Sequence, residues 1–118
     1  MKLAALVPLI LALAVAIASA APAARTGDPT SHGGLVMAGS PTVLIGGAPA
    51  ARAGDFATCP QFQPIPHVGG PILIGAPTVL INSVPAARVG DQIAEAAGQV
   101  SVITSGAPTV LIGSTSAR

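Results

Sequence analysis

The sequence has little aromatic, cysteine or charged character. Its 118 residues include two phenylalanines, one cysteine and no tryptophan or tyrosine, and charged residues make up 8%. A single cysteine excludes a disulfide within the chain. Five basic residues, with no tyrosine or tryptophan to stack on bases, argue against a nucleic-acid-binding protein. A hydrophobic content of 51% with so few charges excludes ordinary intrinsic disorder.

Glycine and proline are abundant instead, with 14 and 12 copies spread along the chain. These helix breakers argue against a helical bundle. Collagen is excluded because glycine does not recur at every third residue. The composition predicts a small all-β domain that is rich in turns and has a thin core. A domain of this kind usually needs an additional stabilising element.

The first twenty residues differ from the rest. Met1 and Lys2 precede an apolar run that ends in Ala-Ser-Ala at residue 20. A positive start, an apolar centre and a small-residue end are typical of a secretory signal peptide. A short membrane anchor and a misassigned start codon are the alternatives. We therefore divide the chain into a hydrophobic leader, residues 1–20, and one β-domain, residues 21–118.

The β-domain is a repeated unit. The motif Pro-Ala-Ala-Arg-x-Gly-Asp occurs at residues 22–28, 49–55 and 85–91. It alternates with Gly-(Ser/Ala)-Pro-Thr-Val-Leu-Ile at residues 39–45, 75–81 and 106–112. Repeated apolar segments that cannot bury their surfaces alone stack on one another. Three such units in one chain predict a pseudo-threefold object.

Each unit has the β-branched residues and turn signals of a hairpin. We expect residues 35–38 to pair with 42–45 across the Gly-Ser-Pro turn. By the same rule 71–74 would pair with 78–81, and 101–104 with 109–112. Alternation along a strand places Val43 and Ile45 on one face and Thr42 and Leu44 on the other.

Most charged residues also follow the repeat. Each motif holds an arginine and an aspartate three residues apart, namely Arg25/Asp28, Arg52/Asp55 and Arg88/Asp91. One interpretation is a charged ring for a partner. The other is a brace for a tight turn, in which the aspartate accepts local backbone N–H groups. The second interpretation is favoured because exposed ion pairs contribute only about 0–1 kcal/mol.

The remaining polar groups with ligand chemistry occupy matching positions. His32, Cys59 and Glu95 each lie four residues after a repeat aspartate, and His67 lies in the enlarged second loop. Equivalent positions converge at one end of a threefold object, so we expect these four residues to meet. Imidazole, thiolate and carboxylate ligands suit zinc best and iron second.

Glu95 admits two interpretations. It is either the fourth ligand or a solvated surface charge, in which case water would complete the site. An open zinc could activate that water for hydrolysis, but the sequence offers no further catalytic set, phosphate-binding loop or aromatic pocket. The metal is therefore interpreted as structural, with no catalytic residue and no small-molecule substrate or other cofactor.

The Pro-Ala-Ala-Arg motif, with its alternating partner, resembles the PAAR-repeat proteins that cap the spikes of type VI secretion and related contractile injection systems. The likeness extends from Pro22 to about Gly113. It implies a conical pseudo-threefold β-fold with zinc near its apex. His32, Cys59 and His67 match the family's ligand positions, whereas Glu95 stands where the family usually has cysteine or histidine.

The resemblance also implies a partner and a location. The base of the cone would cap a trimeric valine-glycine-repeat spike protein, and the assembly would puncture a target membrane and leave through the injection apparatus. The leader instead suggests periplasmic or extracellular export, or tethering to the inner membrane. Because the chain ends at Arg118, we expect any effector to be a separate protein. The alternative function is a secreted metal-binding or adhesive β-repeat module outside a spike.

Overall fold

The fold is known from a computed structural model that describes residues 20–113. The predicted leader, residues 1–20, lies outside this range except for its last residue. Within the described residues, no helix is long and apolar enough to span a membrane. The elements, in chain order, are β1 (Ala21–Ala23), β2 (Leu44–Ile45), β3 (Ala48–Pro49), β4 (Phe56–Cys59), β5 (Val68–Pro71), β6 (Ala76–Ile81), β7 (Val84–Ala86), β8 (Gln92–Ala94), the 3-10 turn η1 (Ala96–Gly98), β9 (Val100–Val102) and β10 (Ala107–Ile112).

The strands form antiparallel pairs. β4 pairs with β5 and β8 with β9, whereas β2 pairs with β3, β6 with β7, and β10 with β1. The last three pairs are equivalent: each joins a Thr-Val-Leu-Ile segment to a Pro-Ala-Ala-Arg segment. They share one register, in which Ile45 faces Ala48, Ile81 faces Val84, and Ile112 faces Ala21. We call these three pairs the base hairpins; the third closes the ring by joining the two ends of the described chain.

The predicted hairpin pairing is wrong. Residues 35–38, 71–74 and 101–104 do not pair with the Thr-Val-Leu-Ile segments that follow them. The chain turns after the first two Thr-Val-Leu-Ile segments instead, at Gly46-Gly47 and at Asn82-Ser83. All four turn residues have positive φ, at 58° and 84° in the first turn and 53° and 66° in the second. This is the type I′ geometry that matches the twist of paired strands.

The glycine of each Gly-x-Pro segment does not form the predicted turn but allows a close backbone contact. A Cβ on Gly75 would lie 2.4 Å from the Ala86 carbonyl oxygen, and one on Gly106 would lie 2.4 Å from that of Ala23. Gly39 meets the Ala50 carbonyl in the same way, at 2.8 Å. These glycines therefore allow the backbone to pass directly against the neighbouring strand.

The three Pro-Ala-Ala-Arg segments surround a common axis. Ala24 donates its backbone N–H to the Ala87 carbonyl (3.0 Å), Ala51 to that of Ala24 (3.0 Å), and Ala87 to that of Ala51 (2.9 Å). A closed set of three equivalent bonds is the pattern that a near-threefold rotation of the three segments produces, and the shared register of the base hairpins agrees with it. The all-β, pseudo-threefold repeat fold predicted from the sequence is thus confirmed.

The core forms two layers along this axis. The layer within the base hairpins contains small and β-branched residues: Ala23, Ala50, Ala76, Ala86, Ile81 and Ile112. The next layer contains Ala24, Ala51, Ala57, Ala87, Val36, Ile72, Ile93 and Ile103. The predicted strand alternation holds, because Ile45 packs against the first layer while Leu44 is 61% exposed.

The repeated Arg/Asp pairs brace the backbone, as the second interpretation requires. The carboxylate of Asp28 accepts the backbone N–H of Arg25 at 2.7 Å, and the other two motifs repeat this bond at 2.8 and 2.7 Å. Each guanidinium also contacts its own aspartate at 3.3 Å. The charges therefore close a local turn three times, beside the axis.

The close approach at Gly75 gives a prediction about stability. Gly75→Ala forces the Ala86 carbonyl to move, and we expect a loss of about 1–3 kcal/mol of unfolding free energy, as in an overpacked core. Gly113→Ala is the matched control, because a Cβ there meets no atom within 4 Å. Chemical denaturation measures both variants. Equal stability of the two would contradict the close-approach role.

Candidate metal centre

Four side chains converge on the end of the molecule that lies beyond the second core layer. His32 lies in the short loop between Pro29 and Leu35, which pair with each other. Cys59 is the last residue of β4, and His67 immediately precedes β5. Glu95 follows β8 directly and precedes η1. The three loops that follow the repeat aspartates therefore supply all four residues, as the repeat positions predict.

The ligand atoms lie close together. One nitrogen, oxygen or sulfur atom from each side chain falls within 4.8 Å of the others. The Glu95 Oε1 atom is 2.8 Å from His32 Nδ1 and 3.0 Å from His67 Nδ1. The Cys59 Sγ atom is 3.8 Å from His32 Nδ1 and 3.6 Å from His67 Nδ1. The sequence prediction that these residues meet is confirmed, while the ion itself stays a prediction.

Burial distinguishes the four ligands. Cys59, His67 and Glu95 are buried, and the Glu95 side chain is fully shielded from solvent. The interpretation of Glu95 as a solvated surface charge is therefore wrong. The His32 side chain is 27% exposed and is the one ligand with an open side. An ion that reaches this cluster would approach it past His32.

The hydrogen bonds of His67 indicate what the cluster is built to hold. Its Nε2 atom lies 2.8 Å from the Gln63 carbonyl oxygen, which can only accept, so Nε2 carries the proton. In a neutral ring, Nδ1 then carries a lone pair and acts as an acceptor. It faces the Glu95 carboxylate, which is also an acceptor. A proton carried by one of the two groups, or a cation between them, would satisfy both acceptors. Metal-binding histidines show the same fixed second nitrogen.

A second feature also points to a cation. Among residues 20–113, neither Glu95 Oε2 nor Ser101 Oγ has a partner in strict hydrogen-bond geometry, although both atoms are buried and the Ser101 hydroxyl lies close enough to act on the Glu95 carboxylate. Buried polar atoms without partners are rare and costly. The two residues are neighbours, because β8 and β9 pair Ile93 with Ser101. A small shift of the carboxylate on loading would let the Ser101 hydroxyl donate to Oε2 and leave Oε1 for the ion.

Protonation of the cluster follows from the same surroundings. Burial raises the pKa of the Cys59 thiol, and the Glu95 carboxylate raises it further, against a backbone hydrogen bond at Gln61. Burial also acts to raise the pKa of Glu95, but Ser101, His32 and Cys59 outweigh it and leave the pKa lowered. Glu95 is thus the ionised member, and a bound cation would take the thiol proton's place.

The donor set fits a tetrahedral ion. Zinc bonds of about 2.0 Å to nitrogen or oxygen and about 2.3 Å to sulfur place tetrahedral ligands roughly 3.3–3.7 Å apart. The two sulfur–nitrogen distances, 3.6 and 3.8 Å, are near this range. The nitrogen–oxygen distances are shorter, as expected of hydrogen-bonded partners. One thiolate, two imidazoles and one carboxylate could therefore hold a single metal ion with little rearrangement.

Two residues of this site escaped the sequence analysis. The Gln63 carbonyl gives no sequence signal, because any residue has one; only the enlargement of the second loop hinted at an added contact. Ser101 lies in a strand whose pattern is that of any β-segment. Its proximity to Glu95 depends on the β8–β9 register.

Comparison with known proteins agrees with this arrangement. A family model described as the PAAR motif matches the chain twice, over residues 26–66 and 63–118. The first match includes His32 and Cys59, and the second includes His67 and Glu95. No curated protein matches the chain.

The cluster predicts a coupled loss of metal and stability. Cys59→Ser, His67→Ala and Glu95→Gln each remove a buried ligand, and we expect metal affinity to fall about a hundredfold. At fixed free metal this corresponds to about 2.7 kcal/mol of stability. Metal content by elemental analysis and thermal unfolding with and without chelator measure both effects. Gln92→Ala, at an exposed position of β8, is the control. Full metal content in the three ligand variants would contradict the site.

Ser101 gives a finer prediction. Ser101→Ala removes the hydroxyl that would orient Glu95, and we expect metal affinity to fall about tenfold, the lower range for residues that support a ligand. Stability of the metal-free protein should fall by much less than that of the loaded protein, because the hydroxyl lies outside strict hydrogen-bond geometry in the metal-free cluster. Competition with a chromophoric chelator measures the affinity. Ser105→Ala, at an exposed position, is the control, and equal affinities of the two variants would exclude the orienting role.

Proposed function

The chain belongs to the PAAR-motif family, and from this premise we propose that it is a structural tip protein that caps a trimeric spike. The spike partner would be a trimeric valine-glycine-repeat protein of a type VI secretion or related contractile injection system. In this role the chain sharpens the spike for puncture of a target membrane and accompanies the delivery of separate effectors. It would leave the cell through the injection apparatus.

One observation carries this proposal: a single chain presents three equivalent hairpins at one end. Leu44, Leu80 and Leu111 occupy the same position in the three base hairpins, and they are 61%, 57% and 63% exposed. A surface with threefold repetition matches a trimeric partner, since each subunit then meets the same group. Large apolar residues in a repeated ring are typical of the buried centre of an interface.

The strands of this end also favour docking on another β-structure. Each base hairpin has two strands. Its Pro-Ala-Ala-Arg strand bridges the neighbouring repeat, so the Thr-Val-Leu-Ile strand supplies the edge that another strand could pair. The base-hairpin segments at residues 42–50, 76–86 and 107–112 contain no charged residue. Arginines reach their ends, since Arg52 donates to the Asn82 side chain at 3.3 Å and Arg88 to the Gly113 carbonyl at 3.0 Å. Apolar contact and strand pairing would therefore make the main contribution to holding the tip on its spike.

The metal would act as an internal staple at the opposite end. Three of its four ligands are buried, which supports a structural rather than a hydrolytic ion. We assign zinc as the ion, with iron as the second choice. A site of this kind supplies folding free energy directly, about 10–16 kcal/mol in small zinc-binding peptides. The thin core of alanine and β-branched residues buries little apolar surface, and the bound ion would supply stability that this core lacks.

The leader is the one feature that favours a different function. If residues 1–20 direct export or hold the chain at the inner membrane, the domain would serve as a metal-binding or adhesive module outside a spike. Sequencing the N-terminus of the protein from fractionated cells distinguishes these locations. A mature chain that starts near Ala21 in the periplasm would favour the module.

Docking is tested with the leucine ring. We expect Leu44→Asp, Leu80→Asp or Leu111→Asp to weaken binding to the spike trimer about fivefold to tenfold each, and the triple variant to abolish it. Leu73→Asp is the matched control, because Leu73 is 48% exposed but lies outside the base hairpins. Native mass spectrometry gives the stoichiometry, expected to be one chain per trimer. Spike binding by the triple variant with unchanged affinity would overturn the proposal.

A further inference from the structure

The metal centre has one open side, and His32 covers it. Cys59, His67 and Glu95 are buried, whereas the His32 side chain is 27% exposed. An ion that leaves the cluster reaches solvent with the least displacement of other groups if the His32 imidazole swings aside. The contacts that restrain His32 therefore control how easily the ion leaves.

A side chain of the enlarged second loop, residues 60–66, restrains His32. The Gln61 side chain donates from Nε2 to the His32 backbone carbonyl at 3.1 Å, although the two residues are 29 positions apart in the sequence. The amide nitrogen of glutamine can only donate, and a carbonyl oxygen can only accept. The bond attaches directly to the residue that bears the ligand, so it limits how far the imidazole can move.

The backbone of Gln61 is itself fixed by two other ligand residues. Its carbonyl accepts the backbone N–H of His67 at 2.9 Å. Burial raises the pKa of the Cys59 thiol, and a hydrogen bond from the Gln61 backbone opposes that rise. One residue thus contacts three of the four ligand residues, and it links the exposed ligand to two of the buried ones.

The other contacts of the His32 segment hold it on one side only. Before His32, Ser31 donates its backbone N–H to the Val102 carbonyl at 2.8 Å, and its hydroxyl accepts the Val102 N–H at 3.0 Å. After His32, two glycines follow, and Gly33 donates to the Thr30 carbonyl within the same loop at 3.1 Å. Gly33 has a φ of 84°, and successive glycines leave this side conformational freedom. The bond from the second loop supplies the restraint that this side lacks.

We propose that Gln61 is a positioning residue that holds His32 over the open side of the metal centre and thereby sets the rate at which the ion enters and leaves. It is not a ligand, because its amide is directed to the His32 carbonyl. The enlarged loop passes from Cys59 to the His32 segment and returns to His67, which accounts for its added length. The inference deepens the proposed function and rests on it for one point only, that a metal ion occupies the cluster.

Gln61→Met tests this role, because methionine has nearly the length of glutamine but no N–H donor. The backbone bonds of residue 61 are kept. Gln92→Met is the matched control, since it makes the same substitution at an exposed glutamine of β8. Full-length protein is loaded with zinc and mixed with a chromophoric chelator, at concentrations where the transfer rate no longer depends on the chelator. We expect zinc to leave Gln61→Met about fivefold faster than the wild-type chain, the factor for one net hydrogen bond, and Gln92→Met to match the wild-type chain.

His32→Ala separates a positioning role from general support of the loop. Without the imidazole, the Gln61 amide has no ligand to hold over the ion. We therefore expect Gln61→Met to change the transfer rate by less than about twofold in the His32→Ala chain. Support of Cys59 or His67 would leave the fivefold effect in place, because independent effects add.

Amide hydrogen exchange decides the same question if His32→Ala does not retain zinc. In the zinc-loaded Gln61→Met protein we expect faster exchange at residues 31–35, while the segments that contain Cys59 and His67 keep the protection of the wild-type chain. Gln92→Met should exchange like the wild-type chain throughout these segments.

Three results would each overturn this inference alone. They are equal transfer rates for Gln61→Met and Gln92→Met, a fivefold effect that persists without His32, and unchanged exchange at residues 31–35 in Gln61→Met. A wild-type chain that takes up no metal would overturn the metal assignment together with this inference. Failure of the wild-type chain to bind a spike would overturn the docking proposal and leave this inference standing.

Discussion

A closed triangle of backbone hydrogen bonds among Ala24, Ala51 and Ala87 governs the rest of this structure. Each bond joins different repeats at about the same length, 2.9 to 3.0 Å. The three strands can approach this closely because small residues line the axis. Alanine keeps the side chain small enough for three backbones to meet, whereas glycine would loosen each strand. The repeated Pro-Ala-Ala-Arg motif is therefore explained by packing at an axis, with the arginine and aspartate closing the turn that leads away from it.

The metal centre follows from that axis. Three segments that leave a common triangle in the same direction converge again at the far end, so residues at one distance from each aspartate meet there. The domain has a thin core. The four ligand side chains take the place of apolar packing at the metal end, beyond the second core layer. Mechanical stiffness at a tip would come from this combination of short loops and cross-linked ligands rather than from a large hydrophobic core.

Much of this could be predicted from the sequence, and the failures have physical causes. The position of His32, Cys59 and Glu95, four residues after each repeat aspartate, predicted the cluster. Residues at the same position in each repeat occupy equivalent places around the axis of the folded domain. The pairing of strands did not follow, since Gly-x-Pro is a common turn signal but here serves the close approach seen at Gly75. The true turn at Asn82-Ser83 lacks a glycine and was not recognised. Neither the Ser101 hydroxyl nor the Gln63 carbonyl could be placed, because each depends on tertiary register.

The ring closes through β1 and β10, so one continuous chain supplies all three repeats around the axis. A homotrimer of a single repeat would supply ligands in multiples of three, and four tetrahedral positions could not be filled evenly by identical subunits. Three repeats in one chain need not be identical, so the number of ligands is not limited to a multiple of three. One loop can bring two ligands, another a carboxylate and the third a single imidazole, while the frame stays symmetric. The same freedom lets one loop alone grow into a projection without a threefold copy that would blunt the end.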